Sequence, residues 1–126
     1  MERKRMPTFR WLMVGFWIGA TAAGSLLPSA PSPQQIIPIP RADLLVHAAL
    51  YAVLTVLLAW AGRACTMRRV TEAAVEAFAV GLAFECIQPL TGRHSDLLDM
   101  AANAVGALLG AALVLAVCRL RRRRRS

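Results

Sequence analysis

Carboxylate and amide side chains stand in an otherwise apolar part of this sequence, and they are the groups that could do chemistry. Glu85 and Gln88 are three positions apart, and Asp96, Asp99 and Asn103 follow closely. Residues three or four apart are neighbours on a helix surface. Each group is therefore predicted to form one polar face, whose carboxylates could transfer protons or hold a cation.

A histidine upstream adds an acid–base group to this set. Asp43, His47 and Tyr51 recur at every fourth position, which places them on one face of a helix. His47, Glu85 and Asp99 are therefore the candidate catalytic residues, with the imidazole moving protons between carboxylates. No metal-binding spacing such as HExxH is present, so no metal site is predicted and no cofactor is identified.

The segments that position these residues are long apolar blocks. The chain has 126 residues, 57% of them hydrophobic. Each block is long enough to cross a hydrocarbon layer of roughly 30 Å as a helix, and none shows the alternation of a strand. We predict one all-α domain, residues 1–126, that is an integral membrane bundle of four transmembrane helices. The four blocks are residues 11–27, 44–62, 70–90 and 97–118.

The connections between the blocks differ in character. Prolines at positions 28, 31, 33, 38 and 40 forbid a regular helix, so an extended outer loop is predicted there. Residues 62–69 form a short basic loop and residues 91–96 a short polar turn. Cys65, Cys86 and Cys118 include no CxxC pair, and they are interpreted as small apolar fillers rather than a disulfide framework.

The distribution of basic residues predicts the orientation. All Lys and Arg residues except Arg41 and Arg93 lie in the N-terminal segment, the 62–69 loop or the tail 119–126. The positive-inside rule then places both termini in the cytoplasm. The tail is either a topology signal or a contact for anionic lipid. The net charge of +8 comes without a DNA-binding motif, so a nucleic-acid partner is not predicted.

The first block also has features of a secretory signal. Its basic start precedes an apolar run, and Ala20, Thr21 and Ala22 fit a cleavage site. That site lies inside the run, and the run is longer than a usual signal core. Retention of the first span is therefore the favoured interpretation, and cleavage would leave the other spans oriented as before.

In this topology the polar faces of three spans meet at the outer end of the bundle. Ionisable groups inside a membrane usually face the bundle interior, so an outward-opening polar cluster is predicted, with Arg41 and Arg93 at its rim. The alternative is an internal ion-pair network, Arg93 with Asp96 or Asp99 and Asp43 with His47. Gly106 and Gly110 would allow close helix packing. The cluster comprises Asp43, His47, Tyr51, Glu85, Gln88, Arg93, Asp96, Asp99 and Asn103.

This pattern resembles the VanZ-like family of small bacterial membrane proteins. The matching elements cover residues 43–110: Asp, His and Tyr at every fourth position, Glu-x-x-Gln, an Arg, the two Asp, the Asn and Gly-x-x-x-Gly. Leu44 stands where the family often has Lys, and Ala48 where Phe is common. The resemblance implies a multi-pass protein of the bacterial plasma membrane. The resemblance also implies a link to antibiotic resistance, because the founding member of the family looks like an accessory factor in resistance to the glycopeptide teicoplanin.

Three classes of function are consistent with these residues. The leading hypothesis is a non-enzymatic membrane protein that binds, or alters access to, a cell-envelope component such as a lipid-linked precursor or a glycopeptide. The second is a small intramembrane hydrolase or transferase, with His47 and Glu85 as its acid–base pair and Asp96 and Asp99 as a metal or charge-stabilising pair. A transporter is disfavoured because the polar residues do not continue into the cytoplasmic half.

Overall fold

The computed structural model describes residues 5–126, with side chains from position 8 onward, and this part of the chain is helical. No strand occurs between residues 5 and 126, so the prediction of an all-α fold is confirmed. The elements are α1 (Arg5–Leu26), α2 (Pro33–Ile36), α3 (Ala42–Ala61), α4 (Met67–Ile87), a 3-10 helix (Gln88–Thr91) and α5 (Leu97–Arg123).

Two of these helices, α3 and α5, are long and apolar enough to cross a membrane. Each contains a window of mean hydropathy 2.1, of which only 33% in α3 and 28% in α5 is buried. The core helix of a soluble protein would be mostly buried, whereas these helices expose apolar surface that is compatible with lipid. The spans predicted for α1 and α4, and the orientation of the termini, stay predictions. Two residues of the orientation argument, Arg3 and Lys4, lie outside the described residues.

Local capping explains where the helices that carry the polar residues begin and end. Asp96 starts α5 by accepting a hydrogen bond from the Leu98 amide at 3.0 Å. Helix α4 ends at Ile87, shortly before Pro89, which has no amide hydrogen to donate. The 3-10 turn that follows ends at Gly92, whose φ of 78° suits glycine. This turn brings the chain back towards α5.

The closest helix contact joins α3 and α5, and two glycines make it close. A Cβ atom on Gly110 would lie 2.5 Å from the Ala52 carbonyl oxygen, and one on Gly106 would overlap the Ala48 carbonyl. The two backbones therefore touch directly at these turns, as small residues permit in membrane bundles. This contact sets the distance between the polar faces of α3 and α5.

Helix α1 packs on the outside of this pair and is attached mainly to α3. The indole nitrogen of Trp17 donates to the Leu50 carbonyl at 3.1 Å. Nearer the other end, Arg10 lies 4.8 Å from the centre of the Trp60 ring and donates to the Trp60 carbonyl. These contacts hold α1 beside α3 while leaving room between them.

The proline-rich connection is not wholly extended, contrary to the prediction. Residues Pro33–Ile36 form the short helix α2. Pro33 occupies the start of this helix, where its missing amide hydrogen costs nothing. The Ser32 amide donates to the Gln35 side chain at 3.0 Å, a pairing typical of a helix N-terminus. These local signals override the general rule that prolines break helices.

The interpretation of all three cysteines as apolar fillers is wrong for two of them. Cys65 and Cys118 form a disulfide with a Cα–Cα distance of 5.8 Å, while Cys86 is free and exposed. The bond links the loop before α4 to the last turns of α5. The two cysteines are 53 positions apart, and only the packing of α5 against that loop brings them together, so their spacing carried no signal.

Candidate functional site

Three ionisable side chains from three different helices meet at one point. His47 on α3, Glu85 on α4 and Asp99 on α5 each offer a ligand atom within 4.8 Å of the others. Glu85 is 2% exposed, and the side chains of His47 and Asp99 are 15% and 14% exposed. Three titratable groups are thus concentrated in a nearly enclosed space.

The local sequence explains how these groups reach this point. Asp99 lies in the first turn of α5, where the free amides of a helix N-terminus favour a negative charge. Glu85 lies in the last turn of α4, one turn after the buried Gly81. A Cβ atom on Gly81 would lie 2.9 Å from both Asn103 and the Tyr51 ring. Gly81, which sequence analysis did not single out, therefore lets α3 and α5 approach α4 beside Glu85.

Asn103 fixes the imidazole of His47. His47 Nδ1 lies 2.9 Å from Asn103 Oδ1, and Asn103 is fully buried. Because an amide oxygen only accepts hydrogen bonds, Nδ1 carries the proton in this contact. Nε2 then presents its lone pair towards Asp99, whose Oδ2 lies 3.8 Å away. That separation is too long for a hydrogen bond, and a neutral imidazole forms no ion pair with the carboxylate.

Several buried polar atoms of the cluster have no hydrogen-bond partner among the described residues. They are Glu85 Oε2, Gln88 Oε1, Asp99 Oδ1 and Asn103 Nδ2. Buried polar atoms in folded proteins are nearly always paired, so each such atom calls for an explanation. The cluster presents three acceptor oxygens in addition to the lone pair of His47, an arrangement suited to cations and to proton donors.

A cavity of about 380 Å³ opens beside this cluster, between α1, α3 and the proline-rich connection. His47 belongs to both the cluster and the cavity wall. The remaining wall is mixed and contains both polar and apolar side chains. Its principal lining residues are Trp17, Val46, His47, Leu50, Gln88 and Arg93.

Arg93 and Gln88 join the cavity to the end of α1. Arg93 Nη1 donates to the carbonyls of Leu27 at 3.0 Å and Ala30 at 3.4 Å. Gln88 Nε2 donates to the Ser25 carbonyl at 3.3 Å. The ion pairs weighed from the sequence, Arg93 with either aspartate and Asp43 with His47, do not occur in the described part of the chain. His47 is hydrogen-bonded to Asn103 instead, and its Nε2 faces Asp99.

The other residues predicted for the cluster lie around it rather than in it. Tyr51 is 2% exposed and packs in the apolar core. Asp43 is half-buried in the first turn of α3, and Asp96 is exposed as the cap of α5. Arg41, predicted at the rim with Arg93, is exposed and does not line the cavity.

Sequence reasoning missed the contribution of α1 to this site. Trp17 forms part of the cavity wall, and the carbonyls of Ser25 and Leu27 receive the Gln88 and Arg93 hydrogen bonds. The only available signal was an indole in an apolar span, since a buried Trp N–H needs an acceptor. Backbone carbonyls carry no sequence signal at all.

Comparison with known proteins identifies the family of this architecture. No curated protein and no solved structure matches the chain. The family model described as VanZ/LLP1 matches residues 9–119, which include all the residues of the cluster and of the cavity wall. That match covers most of the chain and agrees with the resemblance drawn from its motifs. The chain belongs to the VanZ/LLP1 family.

Proposed function

We propose that this protein binds the anionic headgroup of a cell-envelope lipid or lipid-linked precursor in the cavity beside His47, and thereby contributes to glycopeptide (teicoplanin) resistance. The observation that carries the proposal is the mixed wall of the cavity. Arg93, Gln88 and His47 supply polar groups, while Trp17, Val46 and Leu50 supply apolar surface. An amphiphile with a charged head and an apolar chain matches such a wall.

The hydrogen-bonding capacity of the cavity fits an anionic headgroup. Arg93 uses Nη1 for two carbonyls of the chain, and a guanidinium has five N–H donors. Its other N–H groups have no partner among the described residues and could bind a phosphate or carboxylate, in the paired geometry that guanidinium groups favour. A volume of about 380 Å³ lies within the usual range of ligand sites and suits a headgroup with the first part of its chain.

The proposed location is the outer face of the plasma membrane, in a four-span arrangement. The arginines at 63, 68 and 69 lie around the start of α4 and those of the tail at the end of α5, whereas Arg93 lies between the end of α4 and the start of α5. Arg122, for example, donates to the Cys65 carbonyl. With that end in the cytoplasm, the cavity faces the side on which cell-envelope precursors are assembled and glycopeptides act.

Arginine variants test this proposal. The full chain is purified in detergent with Arg93→Ala, Arg93→Lys or Arg41→Ala, and binding of a polyprenyl phosphate is measured by native mass spectrometry. We expect Arg93→Ala to lose binding and Arg93→Lys to retain part of it. Arg41→Ala is the matched control, because Arg41 is exposed and outside the cavity wall. Equal binding by all three variants would refute the proposal.

Growth on teicoplanin tests the link to resistance separately. Cells that express the wild-type chain are compared with cells that express the same variants at equal membrane abundance. We expect the Arg93→Ala cells to be as susceptible as cells without the protein, and the Arg41→Ala cells to match the wild type. Wild-type expression that gives no protection would remove the resistance part of the proposal and leave the binding part to the lipid measurement.

A second candidate function is a hydrolase or transferase that acts on lipid-linked precursors. It is favoured by one observation, the approach of His47, Glu85 and Asp99 to within 4.8 Å of one another. In this candidate His47 and Glu85 exchange the proton and Asp99 stabilises charge. Asp96 caps α5 instead of pairing with Asp99 at the centre. Release of phosphate from a polyprenyl diphosphate, abolished by His47→Ala and Glu85→Gln, would support it.

A further inference from the structure

We propose that His47 Nε2, Glu85 and Asp99 bind one divalent cation of the Zn²⁺ or Mn²⁺ type. This inference does not depend on the lipid-binding function, since Glu85 and Asp99 lie behind the cavity wall and only His47 is shared with it. It also departs from the sequence prediction of no metal site. The three ligands come from three helices, so no short sequence motif could have predicted the site.

The chemical types of the three side chains fit such an ion. A neutral imidazole suits Zn²⁺ and its neighbours, and carboxylate oxygens suit Mn²⁺ and Zn²⁺ alike. Three protein ligands also leave a coordination position open, as in catalytic zinc sites. The ligand atoms lie within 4.8 Å of one another, and atoms around one tetrahedral zinc lie about 3.4 Å apart. Binding would therefore require the carboxylate ends of Glu85 and Asp99 to rotate towards His47 Nε2.

The unpartnered oxygens point to a cation rather than to a closed hydrogen-bond network. Glu85 is only 2% exposed, yet its Oε2 has no hydrogen-bond partner among the described residues. Asp99 Oδ1 is buried and unpartnered in the same way. One cation between the two carboxylates would satisfy both oxygens at once.

Asn103 provides the second contact that a metal-bound histidine usually has. A histidine that binds a metal through one nitrogen commonly donates its other N–H to an oxygen, which fixes the ring and its tautomer. His47 Nδ1 makes this contact with Asn103 Oδ1 at 2.9 Å. Nε2 is thereby directed towards Asp99 with its lone pair available.

The charge of the cluster leads to the same conclusion. Two carboxylates lie close together between apolar helices, and a buried charge is costly unless it is paired. Among the described residues, the arginine ion pairs are those of Arg68 and Arg69 with Glu72, far from this cluster. The guanidinium of Arg93, which lines the cavity together with His47, is directed at backbone carbonyls. A divalent cation would balance the two negative charges.

Direct metal analysis tests the proposal without any lipid or activity assay. The full chain is purified in detergent with chelator, dialysed against Zn²⁺ or Mn²⁺, and its metal content and affinity are measured. We expect one ion per wild-type chain and at least tenfold weaker binding in Glu85→Gln and Asp99→Asn. We expect Asn103→Ala to weaken binding by 10–100-fold, the range typical of second contacts. Glu76→Gln is the matched control, because Glu76 is an exposed carboxylate on the same helix as Glu85, and it should bind as the wild type does.

Three results would overturn the proposal. They are wild-type protein that holds neither ion, Glu85→Gln and Asp99→Asn proteins that bind as the wild type, and loss of the ion in Cys86→Ser, the variant of the free thiol. If Glu85→Gln does not accumulate in the membrane, the wild-type stoichiometry and Asp99→Asn still decide. A lipid-binding failure in the Arg93 variants would leave this result untouched, so the two proposals fail separately.

Discussion

His47 on α3 and Asn103 on α5 are joined by a buried contact of 2.9 Å between Nδ1 and Oδ1. The contact lies one turn before Gly106, where the backbones of α3 and α5 touch. The glycine contacts and the polar cluster are therefore parts of one interface. A change in the distance between α3 and α5 would move the His47 imidazole relative to Asn103.

The first prediction concerns the tautomer of His47. Because Asn103 Oδ1 accepts a hydrogen bond, the neutral imidazole should carry its proton on Nδ1 rather than on the usually preferred Nε2. Nitrogen NMR of protein labelled with ¹⁵N-histidine should show this pattern for one of the two histidines. In Asn103→Ala the pattern should revert towards the Nε2–H form.

His94 supplies the internal control for this measurement. It is exposed in the turn before α5 and has no hydrogen bond to the cluster. Its nitrogen signals should be those of a solvated histidine and should not change in Asn103→Ala. A wild-type spectrum with both histidines in the Nε2–H form would contradict the orientation of the Asn103 amide.

The second prediction concerns the glycines between α3 and α5. Replacing Gly106 or Gly110 by Ala places a methyl group against the Ala48 or Ala52 carbonyl, so the helices must separate. Such overpacking costs about 1–3 kcal/mol. The midpoint of thermal unfolding in detergent should fall for both variants, and more for Gly106→Ala, whose methyl group meets the closer neighbour.

Gly19 on α1 provides the matched control, since a Cβ atom there has no neighbour within 4 Å. Gly19→Ala should leave the midpoint unchanged or raise it slightly, because alanine favours a helix by about 1 kcal/mol over glycine. If Gly106→Ala and Gly19→Ala behaved alike, the direct contact between the α3 and α5 backbones would be wrong.

The helical fold was predictable from the sequence because long apolar runs without strand alternation leave few choices. Helices α3 and α5 begin and end within a few residues of the predicted blocks at 44–62 and 97–118. The short helix Pro33–Ile36 was missed because prolines were counted as breakers, although Pro33 at a first helical position starts a helix. The Cys65–Cys118 bond was missed because helix packing, not spacing, creates it.

The candidate site was predictable only to the level of helix faces. The spacing of Asp99 and Asn103 places both on one side of α5, but it does not tell which partner each will meet. The partner of His47 turned out to be Asn103, whereas Asp43 was weighed as the closer residue in sequence. Arg93 was expected near carboxylates, yet it binds the Leu27 and Ala30 carbonyls, which no side-chain pattern encodes.

The third prediction concerns the segment that Arg93 holds. Its hydrogen bonds to Leu27 and Ala30 fix the connection after α1, and charged hydrogen bonds contribute about 1.5–3 kcal/mol each. In Arg93→Ala, hydrogen exchange of the amides between positions 27 and 37 should become faster. The amides of α5 should not change, which provides a control within the same molecule, and unchanged exchange in the connection would contradict this role.

The fourth prediction concerns the Cys65–Cys118 disulfide. It closes a loop with a sequence separation of 53, and a bond of that span stabilises a fully unfolding chain by about 4 kcal/mol on the chain-entropy relation. Purified oxidised protein should therefore unfold at a lower temperature after reduction or as Cys118→Ser. Cys86→Ser is the control, since Cys86 is free. No loss of stability in Cys118→Ser would show that the bond does not form.

The last prediction concerns orientation, which decides the side to which the cavity opens. If the arginine-rich end is cytoplasmic, the Cys65–Cys118 disulfide at that end should be reduced in cells by the cytosolic thiol pool and should form only when the purified protein is oxidised. In a chain whose other cysteines are serine, exposed Cys65 should react with a membrane-impermeant maleimide only after the membrane is opened. His94→Cys in a cysteine-free chain should react in intact spheroplasts. The opposite labelling of these two positions would place the cavity, and any lipid it binds, on the cytoplasmic side.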